Sequence, residues 1–183
     1  MAREAGKGAI EIRVEKIEQL FNSLDPFPFR EKDLDREAEE FIVGWARELP
    51  KQDAIEIVIH VPAEEARTAH DDLAGALRRY FDYRAEIVGL ELRELFRVGR
   101  RSLAIGLAVL AACLVAQRAI ANVYGTGEVT RFIGEGLIIL GWVANWKPIE
   151  IFLYDWWPVA NRRNLYRRLS RASVRLKAHA PRA

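Results

Sequence analysis

The sequence of 183 residues is poor in the side chains that build cross-links and metal sites. It contains one cysteine, Cys113, and three histidines, His60, His70 and His179. A single cysteine excludes a disulfide within the chain and a cysteine-rich metal site. The histidines show no ligand spacing, so we expect no metal and no cofactor. The opening stretch MAREAGKGAIEIRVEK has no apolar core, which predicts that it is not a cleaved signal peptide.

Motifs of catalytic chemistry are also missing. Gly125-Thr126-Gly127 does not follow a strand and lacks a third glycine, so it predicts a turn rather than a nucleotide site. Asp33, Asp35 and Glu37 alternate like part of a calcium loop. The glycine that such a loop requires is Ala38 here, so helix capping and the helix dipole explain the acids better. No Ser/His/Asp or Cys/His arrangement can be assembled from spacing, and an enzyme is therefore unsupported, although not excluded.

Charge is absent from one long run. Between Ser102 and Gln117 the chain reads SLAIGLAVLAACLVAQ, and the continuation to Tyr124 gives 23 residues. At about 1.5 Å per residue they cover roughly 34 Å, enough to cross a hydrocarbon core about 30 Å thick. The second apolar segment, FIGEGLIILGWVANW, follows a short polar loop, so the pair predicts a transmembrane hairpin with spans at about 102–124 and 131–147. The alternative is a buried helix of a soluble protein, which seldom needs so long an apolar run.

The charges that are present divide unevenly. Residues 1–101 hold 17 Lys+Arg and 22 Asp+Glu, whereas residues 102–183 hold 11 and 4. Cations beside a span stay on the cytoplasmic side, and they precede the first span and follow the second. The connecting loop offers only Arg131. We therefore expect a multi-pass protein of a bacterial inner membrane with both termini in the cytoplasm.

Small residues within the two spans predict where the helices pack, because close backbone approach drives helix contact in lipid. One stripe of the first span and one of the second carry them: Ala104, Ala108, Ala112, Ala116, Gly134 and Gly141. We expect the two stripes to face each other or a neighbouring copy.

Two charges inside the spans, Arg118 and Glu135, lie at similar distances from the hairpin tip. Intramembrane charge is a functional hypothesis by default, and an ion pair across the hairpin is one interpretation. The alternative is that each side chain reaches the outer interface separately, or that Glu135 is protonated. A structural role is favoured over ion conduction because one shallow pair is not a relay.

The segment after Pro148 predicts an amphipathic helix in the membrane interface, followed by a basic amphipathic tail. Ring-bearing residues that prefer this level flank the segment: Trp142, Trp146, Trp156 and Trp157. The cations that follow are expected to contact anionic lipid: Arg162, Arg163, Arg167, Arg168 and Arg171. Nucleic acid is the rival partner, made unlikely by the position directly after a span.

The front of the chain predicts a small β-α-β module. Ala9–Val14 and Ala54–Val61 alternate as strands, and Asp35 caps a helix between them that ends before Pro50. One crossover makes the strands parallel. Since two strands rarely stand alone, the module needs a covering helix, further strands from a second copy, or another protein. A long amphipathic helix follows at 63–101, with Gly89 and Gly99 as potential breaks.

The stretches LFNSLDPFPFREKDLD, EEFIVGWARELP, EIFLYDWWP and NLYRRLSR resemble a family of small, uncharacterised bacterial inner-membrane proteins with two spans. The resemblance implies a two-span membrane protein and brings no activity or catalytic residue with it.

Together these patterns predict an α+β membrane protein in four parts: a cytoplasmic module (1–62), a long helix or stalk (63–101), the hairpin (102–147), and an interfacial helix with a basic tail (148–183). A non-enzymatic adaptor, regulator or scaffold is the leading hypothesis, working as a homo-oligomer or with a membrane protein partner. An oligomeric channel or transport accessory and a membrane-tethered enzyme are the alternatives.

Overall fold

The computed structural model of the chain describes residues 9–21, 33–63 and 70–179. Residues 64–69, near the start of the predicted long helix, lie outside the described residues. The elements in chain order are β1 (Ala9–Arg13), a 3-10 turn (Ile17–Leu20), α1 (Arg36–Glu48), β2 (Glu56–Pro62), α2 (His70–Tyr124), α3 (Glu128–Val143), α4 (Trp146–Glu150), a π-helical turn (Ile151–Asp155), α5 (Trp156–Leu169) and β3 (Ser173–His179). The fold is mainly helical with one small sheet, which confirms the α+β class.

The chain divides into two compact units. Met1–Val88 and Asn161–Ala183 form the first, here called the sheet unit. Gly89–Ala160 forms the second, here called the hairpin unit. Helices α2 and α5 contribute residues to both, so the units do not coincide with the four predicted parts.

The sheet has three parallel strands in the order β1-β2-β3. Ile10 pairs with Ile57, which confirms the predicted parallel pair, and Ile57 pairs in turn with Val174. Strand β3 corrects the sequence interpretation, which assigned residues 173–179 to a basic tail. Its cations alternate with apolar side chains, and this period of two is typical of a strand. The chain therefore supplies its own third strand.

The two faces of the sheet differ in polarity. Alternate residues along β2 are almost fully buried, with Ile57 at 0%, Ile59 at 1% and Val61 at 0% exposure. One side of each neighbouring helix is buried with them: Ile42 and Ala46 of α1, Leu77 and Phe81 of α2, and Tyr166 of α5. Burying a side chain of this size contributes about 1.5–3 kcal/mol. The opposite face is mostly polar: it carries ion pairs between Glu56 and Arg175 (2.8 Å) and between Glu11 and His60 (3.6 Å), with Val58 buried between them at 3% exposure.

Helix α1 begins as the sequence predicts. The Asp35 side chain accepts a hydrogen bond from the Glu37 backbone N–H at 2.9 Å, which confirms the cap. The buried side of α1 carries Ile42 and Ala46, whereas Phe41 and Trp45 are 43% and 51% exposed.

Helix α2 is continuous over 55 residues, and neither Gly89 nor Gly99 interrupts it. The turn into α3 uses Gly125 at φ +77°, a conformation that favours glycine, and its N–H donates to the Ala121 carbonyl. Helix α3 ends at Val143, five residues before Pro148. Pro148 lies in the first turn of α4, where its missing N–H costs no hydrogen bond.

A π-helical turn separates α4 from α5. The turn ends at Asp155, and Pro158 follows as the third residue of α5. In a regular α-helix the proline ring would collide with the carbonyl of Tyr154, and a widened turn relieves such a collision. The aromatic stretch IFLYDWWP thus forms a helix with a local distortion.

Candidate functional site: the apolar hairpin and the Glu39 network

Two helical stretches are long and apolar enough to cross a membrane, Leu73–Tyr124 and Glu128–Leu169. Their most apolar 18-residue windows are only 11% and 22% buried inside the protein. Large side chains such as Val115 (69%), Phe132 (77%) and Ile139 (63%) are exposed. So many large apolar side chains exposed on neighbouring helices are unusual for a protein surrounded by water alone.

Asn145 joins the two helices of the hairpin. It follows the end of α3, is 4% exposed, and its Nδ2 donates to the carbonyls of Gly106 (3.0 Å) and Gly141 (2.9 Å). One bond crosses to α2 and the other returns to the last turn of α3. The amide therefore satisfies a carbonyl in the last turn of α3 and holds α2 against the end of that helix.

The close approach at this point depends on Gly106. A Cβ there would lie 2.6 Å from Asn145 Oδ1 and 2.9 Å from the Ala144 carbonyl oxygen. Asn145 Oδ1 has no conventional hydrogen-bond donor among the described residues. A Cα–H of Gly106 occupies the direction of the missing Cβ, and Cα–H···O contacts of this type recur at helix interfaces.

The other contacts between α2 and α3, here called the seam, also use small residues. A Cβ at Gly141 would lie 2.6 Å from Leu110 Cδ1, and one at Gly134 would lie 3.1 Å from Gln117 Cγ. Both glycines are buried, as is Cys113 on α2. The structure thus places the predicted small residues of the second span against the first.

The alanine stripe of the first span lies elsewhere. Ala104, Ala108 and Ala112 are exposed, and Ala116 is half-buried. Within residues 99–124 of α2 the buried residues are instead Gly99, Gly106 and Cys113, spaced by seven. A heptad spacing fits helices that pack at a shallow angle, whereas a spacing of four drifts around the helix.

Glu135 pairs with Arg131 on its own helix rather than with Arg118. The distance from Glu135 Oε1 to Arg131 Nε is 3.3 Å, and both side chains are exposed. Within the described part of the chain, no ion pair joins Arg118 to a carboxylate. The predicted pair across the hairpin is therefore not formed in this structure.

The aromatic residues predicted as interface anchors are mostly on the surface of the hairpin unit. Trp142, Trp146 and Trp157 are 60%, 71% and 64% exposed. Trp156 is half-buried; its Nε1 donates to the Phe152 carbonyl at 3.0 Å, and its ring lies 6.3 Å from that of Phe96. Three exposed indoles and one packed indole are therefore grouped around α4 and α5.

The sheet unit contains a polar network that sequence patterns did not reveal. Glu39 of α1 accepts hydrogen bonds from Tyr80 Oη (2.7 Å) and Tyr166 Oη (2.8 Å). Arg84 Nε and Nη2 both lie 2.9 Å from Glu39 Oε1. The Tyr166 ring also stacks on Phe81 at 6.3 Å. One carboxylate thus joins α1, α2 and α5 within the unit.

The electrostatics of the network favour an ionised, fully paired carboxylate. Burial raises the pKa of Glu39, but the hydrogen bonds from both tyrosines and the charge of Arg84 outweigh it and hold the pKa below its ordinary value. Burial and the bond to Glu39 raise the pKa of Tyr80 and of Tyr166. A carboxylate with this many donors is a weak base and a poor nucleophile, so the arrangement is suited to stabilising the fold.

The basic residues predicted to contact lipid divide into two kinds. Arg168 Nη2 donates to the carbonyls of Pro50 (2.8 Å) and Asp53 (3.1 Å), tying α5 to the turn before β2. Arg162, Arg167 and Arg171 are exposed, and Arg163 is half-buried. Arg168 therefore has a structural contact, whereas the side chains of Arg167 and Arg171 are exposed.

The acids and histidines considered in the sequence do not converge. Asp35 caps α1, Glu40 pairs with Arg36 at 2.9 Å, and His60 lies on the polar face of the sheet. The side chains of His70 and His179 are outside the described residues. Among the residues described, no group of three or more His, Cys, Asp or Glu could hold a metal ion.

Comparisons of the chain with family models, with characterised proteins and with solved structures find no match. The resemblance to small two-span proteins therefore stays a prediction.

Proposed function

We propose that the chain is an integral protein of a bacterial inner membrane, in which α3 and the apolar half of α2 form a two-span hairpin. In this proposal the sheet unit and both termini are cytoplasmic, and the protein acts as a non-enzymatic adaptor or scaffold. The hairpin is the anchor, and the sheet unit is the part that meets a partner.

The single observation that carries the proposal is the low burial of the apolar hairpin. A core helix of a soluble protein is mostly buried, whereas here 11% of the most apolar window is. Each large apolar side chain left in water forgoes roughly 1.5–3 kcal/mol, and lipid recovers this free energy for the whole surface at once.

The charge distribution supports the orientation and a lipid contact. The cations that precede α2's apolar half and those that follow α3 lie at the same end of the hairpin by chain direction. Arg162, Arg167 and Arg171 are exposed in this part of the chain, and near an anionic surface each cation contributes about 1 kcal/mol.

Two valines of equal chemistry provide the test. Val115 and Val129 are 69% and 73% exposed, but Val115 lies nine residues from the end of α2, and Val129 lies at the start of α3 beside the loop. An aspartate at the centre of a span costs about 2.5–3.5 kcal/mol, and much less at the interface.

We expect Val115→Asp to reduce the carbonate-resistant fraction of the chain in bacterial membranes and Val129→Asp to leave it nearly unchanged. The measurement is alkaline carbonate extraction followed by sedimentation and immunoblotting. Release of the unmodified chain by carbonate, or equal effects of the two substitutions, would contradict the membrane assignment.

A further inference from the structure

Among the described strands, β1 forms an outer edge of the sheet. The Val14 N–H donates to the His60 carbonyl at 3.0 Å, which fixes the direction of hydrogen bonding along the ladder. Because this direction alternates along a strand, the N–H and C=O groups of Glu11 and Arg13 point away from β2. In the part of the chain that the structure describes, no other strand pairs with β1.

A groove of about 380 Å³ lies beside this edge. It is lined by residues 11–14 of β1 together with Gln19, Asp35 and Phe41, among others. The space leaves the edge accessible to an added strand, which is how exposed sheet edges bind extended segments.

The opposite edge of the sheet is protected by charge. The side chains of Arg175 and Lys177 project from the polar face of β3. In an antiparallel pairing of β3 with a second β3, the registers with the largest overlap that match the backbone groups set a cation opposite a cation. Like charges in facing positions destabilise a sheet, and edge lysines are a common protection against strand addition.

The β1 edge carries the reverse pattern. If two β1 strands pair antiparallel about a two-fold axis at Ile12, the outward-facing residues match, and Glu11 of each copy faces Arg13 of the other. Two opposite-charge pairs and the backbone bonds of four residues then stabilise a single register.

We propose that β1 is a dimerisation edge, and that a second copy of this chain adds its own β1 antiparallel to it. The result is one six-stranded sheet, with β1 strands at the centre and the cationic β3 strands at both ends. An isologous pairing of this kind closes on itself, so it gives a dimer rather than a filament. The inference deepens the proposed function by naming the partner, and rests on it only for the membrane in which the pairing is measured.

Cysteine cross-linking between two differently tagged chains tests the register. Both chains carry Cys113→Ala; one also carries Glu11→Cys and the other Arg13→Cys. Facing Cβ atoms lie about 4.5–5.5 Å apart, near the range a disulfide needs. We expect mild oxidation of native membranes to give a mixed disulfide dimer, and much less dimer from either variant alone, because identical positions lie on a diagonal about 7–8 Å apart.

Charge exchange tests the pairing independently. Glu11→Arg sets two cation pairs across the axis and should lower the dimer fraction on the order of tenfold. Adding Arg13→Glu in the same chain restores opposite charges and should restore the dimer. This rescue separates a lost contact from a misfolded chain.

The inference would be overturned if no mixed disulfide formed in membranes where the chain resists carbonate. A stronger cross-link of Glu11→Cys with Arg175→Cys would also overturn it, because it indicates that β1 adds to β3. So would an adduct with a different polypeptide in place of the dimer. A chain that carbonate releases contradicts the proposed function instead, so the two failures are distinguishable.

Discussion

Substitution of Gly106 by alanine should open the hairpin. The new Cβ would lie 2.6 Å from Asn145 Oδ1 and 2.9 Å from the backbone oxygen of Ala144. The Asn145 side chain can rotate, but only by losing its two hydrogen bonds at 3.0 and 2.9 Å. The backbone oxygen cannot move without separating α2 from the end of α3.

The expected destabilisation of the closed hairpin follows from two contributions. Hydrogen bonds between membrane helices contribute about 0.6 kcal/mol each, so losing two costs about 1.2 kcal/mol. Overpacking adds about 2 kcal/mol. Because α2 stays helical in the open form, the higher helix propensity of alanine cancels. The net cost is about 3 kcal/mol, which corresponds to an open population larger on the order of 100-fold.

The single cysteine reports this opening. Cys113 is 6% exposed and lies seven residues from Gly106 on the same side of α2. In mild detergent, Gly106→Ala should raise the rate of maleimide labelling of Cys113 on the order of 100-fold, because only the open form reacts. Gly136→Ala is the matched control, since no heavy atom lies within 4 Å of its added Cβ. Equal labelling rates in the two variants would refute the role assigned to Gly106.

Three further predictions concern the sheet unit. Glu39→Gln should lower the melting temperature in detergent by about 4–8 °C, because losing the charge weakens hydrogen bonds that together contribute about 2 kcal/mol. The control Glu40→Gln removes an exposed ion pair with Arg36 and should change the melting temperature little. Equal shifts in the two variants would contradict the role of the network. The pKa of Glu39 is lower in the folded state than in the unfolded state, so its stabilising effect is present above the unfolded-state pKa and is lost as the pH falls through the folded-state pKa. The melting temperatures of the native chain and of Glu39→Gln should therefore converge in acid. A difference that stays constant with pH would be inconsistent with a depressed pKa. Arg168→Gln should lower the melting temperature, because it loses the hydrogen bonds to the carbonyls of Pro50 and Asp53. Arg167→Gln should instead chiefly weaken binding to vesicles of anionic lipid. The reverse pattern would refute the structural role of Arg168 and the lipid-binding role of Arg167.

The elements with strong local periodicity were predictable from sequence. The alternation around Ile10 and Ile57 and the cap at Asp35 depend on neighbouring residues, and the structure confirms both. Strand β3 was missed because the sequence interpretation gave its cations more weight than the alternation of Val174 and Leu176.

The contacts that hold each unit together were less predictable. Glu39, Tyr80 and Tyr166 are distant in sequence, and only the fold brings them within hydrogen-bond distance. The heptad spacing of Gly99, Gly106 and Cys113 could have predicted the side of α2 that lies in the seam. The sequence interpretation used the more frequent alanines instead, and these lie on another side of the helix. The Arg118–Glu135 pair was inferred from depth alone, and Arg131 lies closer to Glu135 along the same helix.

The accessibility of Thr126, at the turn between α2 and α3, tests the central claim most directly. In a Cys113→Ala chain, Thr126→Cys should react with a membrane-impermeant maleimide in intact spheroplasts. Glu48→Cys, at the end of α1, should react only after the membrane is permeabilised. Labelling of both before permeabilisation, or of Glu48→Cys alone, would contradict a hairpin that crosses the membrane and returns.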